Sequence, residues 1–87
     1  MEEKKVARIT HFFDKIGVAV MKIEDSSISV GETIHIKGST TDFEQEISSM
    51  QIDHSEVEQA DPGQSVGIKL DKKAREQDLV YKILDDL

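Results

Sequence analysis

The strongest constraint on the fold is a tight turn that is followed by strictly alternating apolar residues. Pro62 presets φ for the first corner of a turn, and Gly63 supplies the positive φ that the second corner of a type II turn requires. After the turn, the apolar residues Val66 and Ile68 alternate with Gly67 and Lys69. This period of two is typical of a strand with one buried face. The segment therefore predicts a strand that returns from a turn.

The same alternation recurs along most of the chain, in segments that are separated by turn-forming residues. The predicted strands cover residues 6–13, 16–23, 33–37, 43–52, 56–60, 65–70 and 79–83, and Ile28 and Val30 lead into a turn at Gly31. The apolar positions change phase between Ile47 and Met50, which predicts a β-bulge near Ser48. Residues 71–78 have helical propensity, enough for a single turn. Six or seven short strands joined by Gly-, Pro- and Ser-rich turns predict an all-β domain, a small closed or nearly closed β-barrel.

The length and composition of the chain limit it to one domain with a modest core. The 87 residues are 37% hydrophobic and contain no tryptophan. We expect a single domain over residues 6–84, with frayed termini at 1–5 and 85–87. No apolar run could span a bilayer, and the N-terminus lacks the apolar stretch of a signal peptide, so a cytoplasmic protein is expected. The absence of cysteine excludes disulfides and thiolate chemistry.

Negative charge is concentrated in the middle of the chain. The net charge is −7, and between Asp42 and Asp61 there are seven acidic residues and no lysine or arginine. Nucleic-acid grooves depend on clustered basic residues, so a broad groove of this kind is not expected. The acidic stretch is either a solvated surface or a surface that docks onto a partner.

Three segments of the chain resemble a known family. Residues 16–38 resemble the opening of the second domain of translation elongation factors of the Tu/1A type, including a V-G-E-x-I-x-I strand. Residues 47–67 extend the resemblance through an H-x-x-V-E-x-A segment and a P-G-x-x-V-G turn. Residues 75–80 are similar to an R-x-G-D-V-V ending, with Gln77 at the glycine position. A similar domain closes some collagenase-like peptidases.

The resemblance implies a β-barrel that binds a partner without catalysing a reaction. In the factors this domain holds the acceptor end of tRNA and contacts the ribosome. The leading hypothesis is therefore binding of RNA, or of a protein of the translation or RNA-modification machinery. By position, the basic residue of the family falls on Lys22 and its glutamate on Gln51, flanked by Met50 and Ile52. These four residues form the predicted binding face. The chain has no G-x-x-x-x-G-K-[ST] loop, so nucleotide binding is not expected. No other cofactor is predicted.

The alternative hypothesis is a protein-interaction module. In this interpretation the chain works with a larger peptidase-like enzyme, whose own terminal barrel it resembles. The acidic stretch from Asp42 to Asp61 would then be the docking surface.

No catalytic or metal site is predicted. Asp53, His54 and Ser55 are the residue types of a hydrolase triad, but adjacent side chains of an extended strand point to opposite faces. His11 and His35 do not stand at the spacing of metal ligands, and surface imidazoles are preferred to a zinc site.

The three phenylalanines are the aromatic residues that could stack on bases. Because the core is short of aromatic residues, packing inside it is the preferred role for Phe12, Phe13 and Phe43.

Overall fold

The computed structural model describes residues 2–84, and these residues form ten strands and no helix. The strands are β1 Glu2–Phe13, β2 Val18–Ile23, β3 Ile28–Ser29, β4 Thr33–Lys37, β5 Asp42–Glu46, β6 Met50–Ile52, β7 Ser55–Val57, β8 Gln59–Ala60, β9 Ser65–Lys69 and β10 Leu79–Leu84. Eight of them form one sheet in the order β5-β4-β10-β1-β2-β9-β6-β7, and β3 and β8 form a separate two-stranded ribbon. The predicted all-β class is confirmed.

Strand β1 is the central strand of the sheet. It pairs antiparallel with β10 on one side and with β2 on the other. Its register shifts between Lys5 and Ala7 against β10, and between Ile9 and His11 against β2. Register shifts of this kind bend a strand and increase its twist. The bends allow one 12-residue strand to curve around the core.

The sheet is not closed by a ladder of hydrogen bonds. Strands β5 and β7 end the order and are not paired with each other. The region of the β3–β8 ribbon links them instead, because the Val30 amide donates to the Glu58 carbonyl and the Gly31 amide donates to the Ile47 carbonyl, each at 2.9 Å. The prediction of a closed or nearly closed barrel with six or seven strands is therefore not confirmed: the described residues form an open eight-stranded sheet and a ribbon.

The phase change after Ile47 marks the end of a strand, and the predicted bulge near Ser48 is wrong. Strand β5 ends at Glu46 and pairs with β4, whereas β6 begins at Met50 and pairs with β9 and β7. The connection lies close to the core, since Ile47 is fully buried and its amide donates to the Glu32 carbonyl at 2.8 Å. Residues 71–78 form bends and a turn, and the predicted helical turn is absent from them.

The core consists of aliphatic side chains from the inward faces of the strands. The largest side chains with less than 2% exposure are Val6, Ile9, Met21, Ile23, Ile28, Ile34, Ile36, Ile47, Met50, Val66, Ile68 and Val80. Alternate residues of β2, β4, β5 and β9 are buried, as a pleated sheet with one buried face requires. In β1 the adjacent Val6 and Ala7 are both buried, at the register shift against β10. Aliphatic burial of this kind is the main stabilising contribution in a domain of this size.

The turn at Pro62 and Gly63 has the predicted geometry. Gly63 has a φ of 91°, and the Gln64 amide donates to the Asp61 carbonyl at 3.1 Å. Glu2–Lys5 lie in β1 and pair with Tyr81–Leu84, while Met1 and residues 85–87 lie outside the described residues. The predicted domain boundaries stay a prediction. In the part of the chain that is described, no helix has the length and apolar character needed to cross a bilayer.

Candidate functional site

The outer face of the sheet carries an apolar groove over β2, β9 and β6. Along β2, Ala19 and Met21 point into the core, so Val18 and Val20 point outward, where they are half-buried. Gly67 of β9 lies between Val20 of β2 and Gln51 of β6 in the sheet register. Because Gly67 has no side chain, it leaves a depression between its neighbours.

The groove has a volume of about 540 Å³ and is open to solvent. Phe13 and Ile16 lie on the side of the β1–β2 connection, and their exposures of 46% and 60% are high for large apolar residues. Asp53 and His54 lie on the side of the β6–β7 turn. Apolar residues that are exposed next to each other and flanked by polar residues are typical of surfaces that bind another protein.

The end of β1 explains why Phe13 faces solvent. Phe12 packs against the core, and the alternation of a strand then turns Phe13 to the outer face. There its ring meets the His11 ring edge-on, with centroids 4.3 Å apart and planes at 62°. The prediction that all three phenylalanines pack inside the domain is therefore correct for Phe12 and Phe43 and wrong for Phe13.

The four predicted binding residues divide between the two faces of the sheet. Lys22 and Gln51 are exposed on the outer face, and Gln51 lines the groove. Met50 is only 1% exposed and belongs to the core, while Ile52 is half-buried and packs against the core. The structure therefore brings Lys22 and Gln51 to one surface and places Met50 and Ile52 on its inner side.

The acidic stretch is also divided in the structure. Asp42, Glu44 and Glu46 are exposed on β5, and Asp53 and Glu56 are exposed on the β6–β7 hairpin. The exposed Glu58 and Asp61 flank β8. Strands β5 and β7 lie at opposite ends of the sheet order. Of the seven acidic residues, Asp53 alone lines the groove.

Asp53 and His54 occupy the two corners of a hairpin turn. Their φ angles are 51° and 66°, and Ile52 pairs directly with Ser55. Two consecutive residues with positive φ define a type I′ turn, the connection that suits the twist of a hairpin. The expectation that these residues lie in an extended strand is wrong, and their role here is to reverse the chain.

His35 stands between two carboxylates on the outer face near β5. Its Nδ1 lies 2.6 Å from Glu3 Oε2, and its Nε2 lies 2.5 Å from Asp42 Oδ1. The hydrogen bond with Asp42, supported by Glu3, raises the pKa of His35 although partial burial opposes this. The same hydrogen bond lowers the pKa of Asp42. His35 is 12% exposed and thus more enclosed than a surface imidazole, and donor atoms of Glu3, His35 and Glu44 all lie within 4.8 Å of one another.

Sequence reasoning missed the groove residues Phe13 and Ile16. The available signal was the phase of β1, in which two adjacent phenylalanines cannot both face the core. For Ile16 the signal was its place directly before Gly17, whose φ of 68° belongs to a turn. An apolar residue in a turn has no neighbouring strand to bury it.

Comparisons with known proteins indicate the class to which this domain is related. No protein-family model matches the chain. An uncharacterized protease of Methanocaldococcus jannaschii is 37% identical over 84 residues, which cover 95% of this chain and 20% of that protein. A collagenase of Porphyromonas gingivalis is 32% identical over 72 residues, which cover 82% of this chain and 20% of that protein. The chain spans about a fifth of the length of these curated relatives.

Two crystal structures have the same fold. Both are of the C-terminal domain of a protein assigned to the U32 peptidases in Geobacillus thermoleovorans. The selenomethionine form has a TM-score of 0.82 at 16% identity and covers 88% of this chain and 96% of that domain. The other has a TM-score of 0.86 at 17% identity and covers 93% of each chain. The chain is thus similar in fold to the C-terminal domain of U32 peptidases.

These findings correct the leading functional hypothesis. The resemblance to the terminal domain of collagenase-like peptidases is confirmed, and the assignment to the second domain of elongation factors is not. The interpretation of the chain as a translation-factor-like domain that binds tRNA or the ribosome is wrong, because the proteins it resembles are proteases, collagenases and a U32 peptidase domain.

Proposed function

We propose that this chain is a non-catalytic protein-interaction module that packs against a larger peptidase-like protein. The observation that carries the proposal is the match to a protease at 37% identity, which covers 95% of this chain but only 20% of the protease. A domain that recurs as one fifth of a larger protein has a surface that faces the remaining four fifths. The fold of an isolated C-terminal domain of a U32 peptidase supports the same conclusion.

The groove is the proposed docking surface. Phe13 and Ile16 expose large apolar side chains beside the half-buried Val18 and Val20. Covering a side chain such as Phe or Ile contributes about 1.5–3 kcal/mol, so these two residues could supply much of the energy of a modest interface. Gln51 adds an exposed amide for hydrogen bonds to the partner. The groove replaces the acidic stretch as the candidate surface, because the acidic residues of that stretch are divided among β5, the β6–β7 hairpin and the two ends of β8.

The contacts of the histidines support a non-catalytic role. His11 faces Glu76, and His35 faces Glu3 and Asp42. None of the hydrogen bonds in residues 2–84 joins a histidine to a serine or threonine hydroxyl, which is the arrangement that activates such a nucleophile. The chain also has no cysteine.

A binding titration tests the proposal. The probe is the catalytic region of a U32-type peptidase from the same organism, prepared without any terminal domain of its own. We expect a saturable complex with this chain. Replacing both Phe13→Ser and Ile16→Ser should weaken it by on the order of a hundredfold, because two apolar anchors are lost.

A matched control uses another exposed apolar residue. Val30 is 39% exposed and lies outside the groove, so Val30→Ser should leave the affinity unchanged. The proposal fails if no complex forms, or if the groove variant binds as tightly as the wild type while remaining folded by circular dichroism.

A further inference from the structure

Three strands of the sheet bring one imidazole and three carboxylates together on the outer face. His35 of β4 lies directly opposite Glu44 of β5 in the sheet register. On its other side, Glu3 of β1 reaches across β10 and approaches His35 Nδ1 at 2.6 Å. Asp42 of β5 approaches Nε2 at 2.5 Å. None of these four residues lines the groove, and the proposed docking role does not involve them.

We propose that Glu3, His35 and Glu44 form a binding site for one divalent transition-metal ion, Zn²⁺ being the best suited. Donor atoms of these three residues already lie within 4.8 Å of one another. A tetrahedral zinc site with bonds of about 2.0–2.2 Å needs donors roughly 3.4 Å apart. Donor pairs near the 4.8 Å limit must therefore close by up to about 1.4 Å, and the Glu3 and His35 donors, now 2.6 Å apart, must separate by about 0.8 Å. Glu3 is 31% exposed in its side chain and Glu44 is exposed, so both have room to rotate.

The two nitrogens of His35 have different surroundings, and this difference assigns their roles. A histidine that binds a metal through one nitrogen commonly donates its other N–H to a carboxylate, which orients the ring. Asp42 is in position to accept from Nε2 and is not one of the three clustered ligands. Nδ1 therefore faces the metal, together with Glu3, and Asp42 positions the ring.

The charge of the cluster favours a cation. Three carboxylates surround one imidazole, so the group is anionic whether or not the ring carries a second proton. Lys37 attracts the Asp42 carboxylate electrostatically and offsets part of this negative charge. Lys5, two residues after Glu3 in β1, is instead paired with Glu24 at 3.3 Å. A divalent ion at Nδ1 would offset the repulsion between the Glu3 and Glu44 carboxylates, which lie close to each other.

The donor set distinguishes between metals. Imidazole nitrogen with carboxylate oxygen suits Zn²⁺, whereas Ca²⁺ and Mg²⁺ prefer sites built from oxygen alone. With three protein ligands, a water molecule would complete the tetrahedron. We therefore expect binding of Zn²⁺ in preference to Mg²⁺ and Ca²⁺.

Calorimetric titration of the chelator-treated full chain with ZnCl₂ is the test. We expect saturable binding of about one ion per chain, and no comparable heat with MgCl₂ or CaCl₂. His35→Gln and Glu44→Gln should each weaken Zn²⁺ binding by about tenfold to a hundredfold or more. His11→Gln is the matched control, since His11 also faces a glutamate, Glu76, but has no second carboxylate at its ring among the described residues.

Thermal unfolding gives a second readout that does not depend on heats. Zn²⁺ should raise the unfolding midpoint of the wild type and of His11→Gln, and should not raise that of His35→Gln. Because Glu44 is exposed, Glu44→Gln is expected to fold even if a change at His35 disturbs the sheet. The proposal is overturned if Zn²⁺ binding does not saturate, if Mg²⁺ binds equally well, or if His11→Gln weakens binding as much as His35→Gln.

Discussion

The carboxylate of Asp78 occupies the space that a side chain at Gly38 would need. A Cβ built on Gly38 would overlap Asp78 Oδ1. Asp78 is only 5% exposed, and its Oδ2 accepts a hydrogen bond from the Arg75 amide at 2.9 Å. The carboxylate cannot move away without giving up this bond in a buried position, which is costly. The glycine that follows β4 is thus required by the turn that precedes β10.

Gly38→Ala should lower the free energy of unfolding by about 1–3 kcal/mol, because it overpacks this contact. The matched control is Gly67→Ala, whose Cβ would lie 3.5 Å from Val18 Cγ1, an ordinary contact. We expect it to leave the free energy of unfolding unchanged or to raise it by up to about 1 kcal/mol, because glycine inside a strand loses more backbone entropy on folding than alanine does. Urea unfolding of the two variants measures the difference, and equal costs would show that Asp78 moves away freely.

Gln77→Gly should stabilise the domain. Gln77 has a φ of 75°, a left-handed conformation that costs a residue with a Cβ roughly 1–2 kcal/mol. Glycine adopts it freely but loses more backbone entropy on folding, so the expected net gain is about 0.5–1 kcal/mol. Gln77→Ala keeps the Cβ and serves as the control. If urea unfolding shows Gln77→Gly to be no more stable than Gln77→Ala, the positive φ of this residue is not strained.

The stability of the metal-free domain should depend on pH through His35 and Asp42. The pKa of His35 is raised above 6.5. The stability that the protonated His35 contributes to the folded state is therefore fully present below pH 6.5 and is lost as the pH rises through the folded-state pKa. The pKa of Asp42 is lowered from 3.8, so its contribution is present above that value and is lost as the pH falls through the folded-state pKa. Both contributions are therefore present together between about pH 3.8 and 6.5.

Free energies of unfolding measured across this range test the assignment. The wild type should lose stability above about pH 6.5 relative to His35→Gln, which has no titrating ring. A constant difference between the two proteins from pH 5 to about pH 9 would contradict the raised pKa of His35.

The strands could be predicted from the sequence because their signal is local. Ile34 and Ile36 of β4, and Val66 and Ile68 of β9, alternate with polar or small residues, and all four are buried. The turn at Gly63 could be predicted for the same reason, since a Pro-Gly pair fixes its own backbone angles. These features depend on neighbours in sequence only.

Strand pairing could not be predicted in the same way. The phase change between Ile47 and Met50 fits either a bulge in one strand or a passage between two strands, and only the pairing partners of β5 and β6 decide between them. Similarly, the approach of Glu3 to His35 depends on β10 lying between β1 and β4. Contacts between residues distant in sequence are set by topology, which periodicity does not specify.

The predicted binding face stays a prediction, and the structure shows where its residues lie. The resemblance assigns Gln51 to this face, and Gln51 lines the groove. The resemblance also assigns its neighbour Met50, although adjacent residues of a strand point to opposite faces and Met50 is in the core. The scarcity of aromatic residues favours an inward Phe13, but composition carries no information about the direction of its side chain.

The measurement that tests the central claim most directly is methyl NMR of the isoleucine- and valine-labelled domain, recorded with and without the peptidase-like catalytic region. If the groove is the docking surface, the methyl signals of Ile16, Val18 and Val20 shift or broaden in the complex, because their surroundings change when the groove is covered. Signals of Val30, which lies outside the groove, stay in place. Unchanged groove signals in a saturated complex, with the changes confined to Val30 or to the residues beside β5, would contradict the account.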